Sequence, residues 1–118
     1  MTTCEIWDVV KVAFPYTDRP IQQRRPALVV AHHTEPGSPA LLWVLMITSA
    51  SHRRWTGDVE ISRVADAGLS VASIVRTAKV TTVEQSGVEP IGFLPAVERA
   101  AVSRHVSGLL RRVLAAGR

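Results

Sequence analysis

The 118-residue chain has one cysteine, Cys4, so an internal disulfide is excluded. Lysine is nearly absent as well: Lys11 and Lys79 are the only two among 14 basic residues, and the positive side of the charge is arginine. Histidine is present, but His32 and His33 are adjacent on or just after a strand and point to opposite faces, while His52 and His105 have no ligand-spaced partners. A four-ligand zinc site is therefore not expected, and no metal or other cofactor is called for. Neither GxGxxG nor GxxxxGK[ST] occurs, which argues against a phosphate-cradling glycine loop. The longest apolar run, residues 40–47, is far short of the roughly 20 residues needed to cross a bilayer. No basic leader precedes a long apolar stretch, so a cytoplasmic protein without a membrane partner is expected. What remains is 47% hydrophobic and 20% charged, with a net charge of +4. That balance suits one folded basic domain over residues 1–118, able to bury roughly two thirds of its unfolded surface without staples.

Residues 5–13 are rich in β-branched side chains and end at Phe14-Pro15, which reads as a first strand. A polar stretch leads to a short buried strand over 26–31, with Pro26 at its start, where a missing N–H does least harm. Proline and glycine punctuate a turn at 34–39, and 41–48 is a wholly apolar strand suited to a central position. Residues 58–61 alternate polar and apolar. Ser62 then resembles an N-cap for a short helix over 63–67, stopped by Gly68. Strand candidates follow at 73–76 and 78–83, then a loop at 85–87 and a short extended piece at 91–93. From Pro95 the period becomes helical. Val102, Val106, Leu109 and Val113, widened by Leu110 and Leu114, form an apolar stripe, with Arg99, Arg104, Arg111 and Arg112 on the other side and Gly117 at the end. Packing against a small barrel explains that stripe; a basic amphipathic helix lying on a membrane is the alternative.

Arginine suits bidentate recognition of phosphate, and a polyanion partner fits the composition as well as a GC-rich coding bias does. Two adjacent arginines, Arg24 and Arg25, precede a proline-fixed strand after Gln22 and Gln23. Alternation sends one guanidinium to each side, and Arg25, next to the rigid strand, is the better-held donor. Thr48 and Ser49 lie where a buried strand emerges. If the two strands pair antiparallel, Arg25 and Thr48 meet, and a positive fork beside a hydroxyl suits a phosphate. The loop His52-Arg53-Arg54-Trp55 combines charge with an aromatic plane, as single-strand nucleic-acid grips do, although Trp55 equally fits the edge of a core. Cys4 lacks a positioned histidine and is not expected to act as a nucleophile.

The segments Trp7-Asp8-Val9-Val10-Lys11-Val12 with Phe14-Pro15, Arg25-Pro26-Ala27-Leu28-Val29-Val30, Ile47-Thr48-Ser49, Gly57-Asp58-Val59-Glu60-Ile61, and Ser73 with Val75-Arg76 together resemble the MazF/PemK family of type II toxins. The resemblance runs over nearly the whole chain in order. It implies a mainly β (α+β) fold, an SH3-like small β-barrel with a C-terminal α-helix, and a homodimer. It also implies a metal-independent, sequence-specific endoribonuclease that cuts single-stranded messenger RNA, inhibits growth in the bacterial cytoplasm, and is silenced by a bound antitoxin. Arg25 and Thr48 match the family's catalytic pair. Members of the PemK type carry Arg-x-Asp on a later strand; here Arg76 matches the arginine, but Ala78 stands where the acid would be.

On this basis RNA contacts are expected from Arg76, Ser49, Gln23, Arg24, Arg53, Arg54 and Phe14, with the segment from Phe14 to Gln23 as a lid over the groove. An acidic, partly disordered antitoxin segment is the expected protein partner. Two other readings remain open. One is a CcdB-like gyrase poison, although the ending Leu114-Ala115-Ala116-Gly117-Arg118 lacks an aromatic anchor. The other is a non-catalytic RNA-binding barrel, which Ala78 makes conceivable.

Overall fold

The first strand starts later than its composition predicts because of the backbone at Trp7. In the computed structural model, which describes residues 3–15 and 22–117 (backbone only at 14, 15 and 22), Trp7 has φ +81°, outside the extended region. Two backbone hydrogen bonds hold it there: its N–H donates to the Val29 carbonyl at 2.9 Å, and its own carbonyl accepts from Leu94 at 2.8 Å. Strand β1 therefore runs Asp8–Pro15. It is followed by β2 (Gln22–His33), β3 (Leu41–Ser49), β4 (Asp58–Glu60), β5 (Ser73–Glu84), β6 (Val88–Phe93) and helix α1 (Ala96–Ala116).

Strand β2 is longer than expected and runs through Pro26. On the β1 side Pro26 is paired with Lys11, whereas the ladder to β3 is recorded only from Ala27 onward. The missing N–H thus falls where the strand has a partner on one side. The two strand candidates at 73–76 and 78–83 are one strand, β5, interrupted by a bulge. Leu45 pairs with Val80 and Ile47 with Val75, so Met46 alone faces residues 76–79. That irregularity bends the strand and re-aims its side chains.

All pairings are antiparallel, in the order β4-β5-β3-β2-β1-β6. The mainly β class with a C-terminal helix agrees with expectation, but the sheet is not closed into a barrel, because no ladder joins β4 to β6. The turn after β4 spans that gap, with the Phe93 N–H donating to the Asp66 carbonyl at 3.0 Å. This segment was expected to be a helix over 63–67 capped by Ser62. It forms hydrogen-bonded turns instead. Five residues give too little return on helix nucleation. Ser62 is also engaged elsewhere, its N–H and hydroxyl donating to Glu98 Oε1 at 2.6 and 3.0 Å. Gly68 does adopt the left-handed conformation, φ +74°.

Strand alternation puts apolar residues on both faces of the sheet. Val9, Leu28, Leu45, Ile47, Val59, Ile61, Val75 and Leu94 form one core with Val102 of α1. Val10, Val12, Ala27, Val29, Leu42, Val44 and Met46 form a second with Cys4. Burial pushes the Cys4 thiol above its usual pKa, and the carboxylates of Asp8 and Glu5 push it the same way. A protonated, buried thiol is a poor nucleophile. Helix α1 meets the sheet only through its first half. Of its apolar stripe, Val102 is buried and Val106 packs against the core, while Leu109, Leu110, Val113 and Leu114 are exposed. At 21 residues the helix is about 31 Å long and outruns the core beneath it. No helix among the described residues is long and apolar enough to cross a membrane.

The bridging turn packs backbone to backbone on β6. A Cβ at Gly92 would lie 2.4 Å from the Ala67 carbonyl carbon and 2.5 Å from the Asp66 carbonyl oxygen, so Gly92→Ala forces the two segments apart. We expect a loss of about 2–3 kcal/mol, read as a fall of roughly 10 °C in the thermal melt. Gly87→Ala, where an added Cβ meets nothing within 4 Å, is the control and should leave the melt nearly unchanged.

Candidate active site

Register alone brings the arginine and the hydroxyl together. Ala27 on β2 lies opposite Met46 on β3, and continuing the antiparallel register by two residues places Arg25 across from Thr48. Because side chains alternate, both project from the face that carries Ala27 and Met46. Both are half-buried and line one small cleft with Ile47, His52, Arg76 and Lys79. The β5 bulge faces Met46, so Arg76 and Lys79 enter the cleft wall from that strand. An adjoining groove shares Arg25, Thr48 and His52 and adds Lys11, Gln23, Arg24, Ser49 and the segment 68–71. Among the described residues, neither cleft is lined by a carboxylate.

The residues singled out in the sequence fall into two groups. Arg25, Thr48, Ser49, Gln23 and Arg24 converge on the two clefts. Arg24 also spans β1 to reach Glu89 on β6, at 2.9 Å, so the paired arginines take different partners. Ser49, at the end of β3, sets its hydroxyl 2.9 Å from that of Ser51. Arg53 and Arg54 do not line either cleft: they are exposed in the loop after β3, and Arg54 is paired with Glu60. The backbone of Phe14 is paired with Gln23, but its side chain and residues 16–21 of the expected lid lie outside the described residues.

Arg76 is placed differently from a free surface arginine. It is 8% exposed, its guanidinium stacks 4.0 Å from the centre of the Trp55 ring, and Nη2 donates to the Arg53 carbonyl. Asp58 lies 3.7 Å away. Trp55 N–H donates to Asp58 Oδ2 at 2.8 Å, and the Thr77 hydroxyl donates to the Gly57 carbonyl at 2.8 Å. Arg76 therefore lines the cleft with its flank while its head fastens the 50–57 loop from beneath. Trp55 is the upper half of that clamp, the packing role left open by the sequence. Asp58 Oδ1 and Arg76 Nε are buried without hydrogen-bond partners, so the clamp carries a desolvation cost.

His52, which the sequence marked only as part of the 52–55 loop and not as a site residue, reaches the cleft. The loop folds back on the end of β3, the His52 N–H donates to the Ser49 carbonyl at 3.1 Å, and the imidazole Nδ1 comes within 2.9 Å of Thr48 Oγ1. The available signal was the four-residue spacing from Thr48 across Ser49-Ala50-Ser51, small residues that permit a tight turn. That spacing becomes informative only once the turn is known.

A sequence model of the family described as "PemK-like, MazF-like toxin of type II toxin-antitoxin system" matches residues 5–110. The chain belongs to that family. Solved MazF structures share its fold. A MazE–MazF crystal structure (Form II) from Deinococcus radiodurans is 22% identical, with a TM-score of 0.66 over 93% of this chain and 97% of that one. The toxin MazF-mt6 of Mycobacterium tuberculosis, also 22% identical, gives a TM-score of 0.60 over 86% and 95%. No curated protein matches in sequence. Within this MazF/PemK fold, Ala78 lies in the β5 bulge and is exposed, with no acid in its place.

Asp58 is the counter-charge of the clamp, and its removal strands a buried guanidinium. Asp58→Ala is expected to destabilise the fold by about 3 kcal/mol and to speed protease cleavage within 50–57. The double change Asp58→Ala/Arg76→Met should recover much of that loss in a denaturant titration.

Proposed function

We propose that this MazF/PemK-family toxin is a metal-independent endoribonuclease that cuts single-stranded RNA by attack of a 2′-hydroxyl on the adjacent phosphorus. The observation that carries the reading is the convergence of Arg25 and Thr48 in a cleft whose charged lining is entirely cationic. Such a donor set fits a phosphodiester. It does not fit a divalent cation, which wants carboxylate or carbonyl oxygens.

Attack by the 2′-oxygen forms an O2′–P bond, builds negative charge on the phosphorane oxygens, and expels the 5′-oxygen, leaving a 2′,3′-cyclic phosphate. Arg25 supplies a fixed positive fork where that charge appears. A guanidinium holds its proton tightly, which suits it to this electrostatic role rather than to proton abstraction. The Thr48 hydroxyl donates to a phosphate oxygen. Arg76 contributes charge from the wall of the cleft, Lys79 of β5 lines the same cleft, and Lys11 of β1 lines the adjoining groove. Gln23, Arg24 and Ser49 line the neighbouring groove, where flanking nucleotides would lie, and Arg53 and Arg54 of the exposed loop together with Phe14 are proposed as further RNA contacts.

The same positive groove is suited to an acidic antitoxin segment that orders on binding, and the working species is proposed to be a cytoplasmic homodimer. Such an antitoxin competes with RNA. Simultaneous, independent binding of both would contradict this.

The test uses purified protein, free of antitoxin, with long single-stranded RNAs in excess EDTA. Discrete cuts are expected, and Arg25→Ala should lose roughly 100- to 1,000-fold in rate, the range for removing a donor aimed at transition-state charge. Thr48→Ala should also be impaired. A loss below threefold for Arg25→Ala would remove it from the catalytic role. RNA binding should weaken with salt at a slope of about −0.7 per phosphate contacted, and Arg25→Ala should reduce that slope by about one contact. If folded wild-type protein leaves several diverse RNAs intact, gyrase poisoning or RNA binding without cleavage becomes the better reading.

A further inference from the structure

Cleavage by 2′-hydroxyl attack requires a group that takes up a proton near neutral pH, and neither Arg25 nor Thr48 supplies one. The Arg-x-Asp pattern would supply an acid at residue 78, but this chain has alanine there. The other groups facing the two clefts do not fill the gap. Arg25 and Arg24 from β2, Lys11 from β1, and Arg76 and Lys79 from β5 are cationic donors, and Ser49, Ser70 and Ser73 are hydroxyls. Among the described residues, His52 is the one imidazole lining either cleft, and imidazole is the side chain most often used as a general base.

Resting on the ribonuclease reading, we propose that His52 is the general base of this site. Its orientation follows from its partners. Nδ1 lies 2.9 Å from Thr48 Oγ1 and 3.3 Å from the carbonyl oxygen of Ser49. A carbonyl only accepts, so the arrangement that satisfies both contacts keeps the proton on Nδ1 and leaves the lone pair on Nε2. Thr48 Oγ1 then accepts from Nδ1–H, and its own hydroxyl proton is free to be donated to a phosphate oxygen. One hydrogen bond thus sets both the tautomer of the base and the direction of the threonine donor.

Nε2 takes the proton of the 2′-hydroxyl as the O2′–P bond forms. As the P–O5′ bond breaks, the leaving 5′-oxygen takes a proton from a solvent water. The imidazolium then returns its proton to the hydroxide left behind, restoring neutral His52 and one water. The clamp beneath Arg53 and Trp55 fixes the loop that carries the imidazole, so the base of the site stands on a loop rather than on the strand of the Arg-x-Asp pattern.

The experiment is a pH–rate profile of RNA cleavage in excess EDTA for wild type, His52→Ala and His52→Asn, with and without added imidazole. Circular dichroism confirms that both variants fold, as expected for an exposed loop position. His52→Ala should lose about 100-fold or more at neutral pH. Its profile should also lose the acidic limb, along which wild-type activity rises as the imidazole deprotonates. His52→Asn retains a side-chain N–H donor for Thr48 but no base, so it should remain equally slow. Imidazole should restore part of the rate to His52→Ala and nothing to Arg25→Ala. Wild-type cleavage with His52→Ala within threefold and an unchanged profile would overturn the proposal while leaving the nuclease reading intact. Recovery in His52→Asn would also overturn it, reducing His52 to a positioning residue for Thr48. Absence of cleavage by wild type would overturn both.

Discussion

Ala27 opposite Met46 is the pairing on which the site depends. Two residues further along the same antiparallel register, the arginines near the start of β2 approach the hydroxyls at the end of β3, which places Arg25 across from Thr48. A one-residue slip of β2 against β3 would put Arg25 and Thr48 on opposite faces of the sheet and turn the guanidinium toward the face that holds Leu45 and Val59. The cost of moving that charge onto an apolar face opposes the alternative pairing and so helps to fix the cleft.

The second constraint is the β5 bulge. Four residues facing Met46 bring Arg76 under the 50–57 loop, where stacking on Trp55, the Arg53 carbonyl and Asp58 fasten the segment alongside the Thr77–Gly57 hydrogen bond. The same loop carries His52 to Thr48. Fold and candidate chemistry thus meet in one arginine whose charge is largely spent on structure. The positive lining of the cleft then rests on Arg25 and Lys79, with Arg76 contributing its field from the wall.

Much of this could be read from residues alone. The β-branched runs located five of the strands within a few residues, the arginine-proline junction pointed to Arg25, and the apolar strand ending in Thr48-Ser49 pointed to the hydroxyls. The failures have local causes. Trp7 adopts a left-handed backbone held by partners distant in sequence, which shortened the first strand. Ser62 was claimed by Glu98, 36 residues away, so a local cap rule gave a helix that does not form. Thr77 sits inside the bulge, which made one strand look like two. The helical stripe was real, but periodicity could not say how far the core extends beneath it. His52 needed the turn geometry, and Arg76 needed its buried partners; both are tertiary facts with no pattern in the sequence.

The central claim is that the attacking group belongs to the RNA and the protein supplies positioning, charge and proton transfer without a metal. It is tested most directly by mapping a cleaved bond and placing a single 2′-deoxy nucleotide immediately 5′ to that scissile phosphate, with the protein in excess EDTA. The account predicts a 2′,3′-cyclic phosphate and a 5′-hydroxyl from the all-ribose strand, and no cleavage at that bond in the substituted one. Continued cleavage at the deoxy position, or products ending in 3′-hydroxyl and 5′-phosphate, would mean that water attacks instead and would contradict the account.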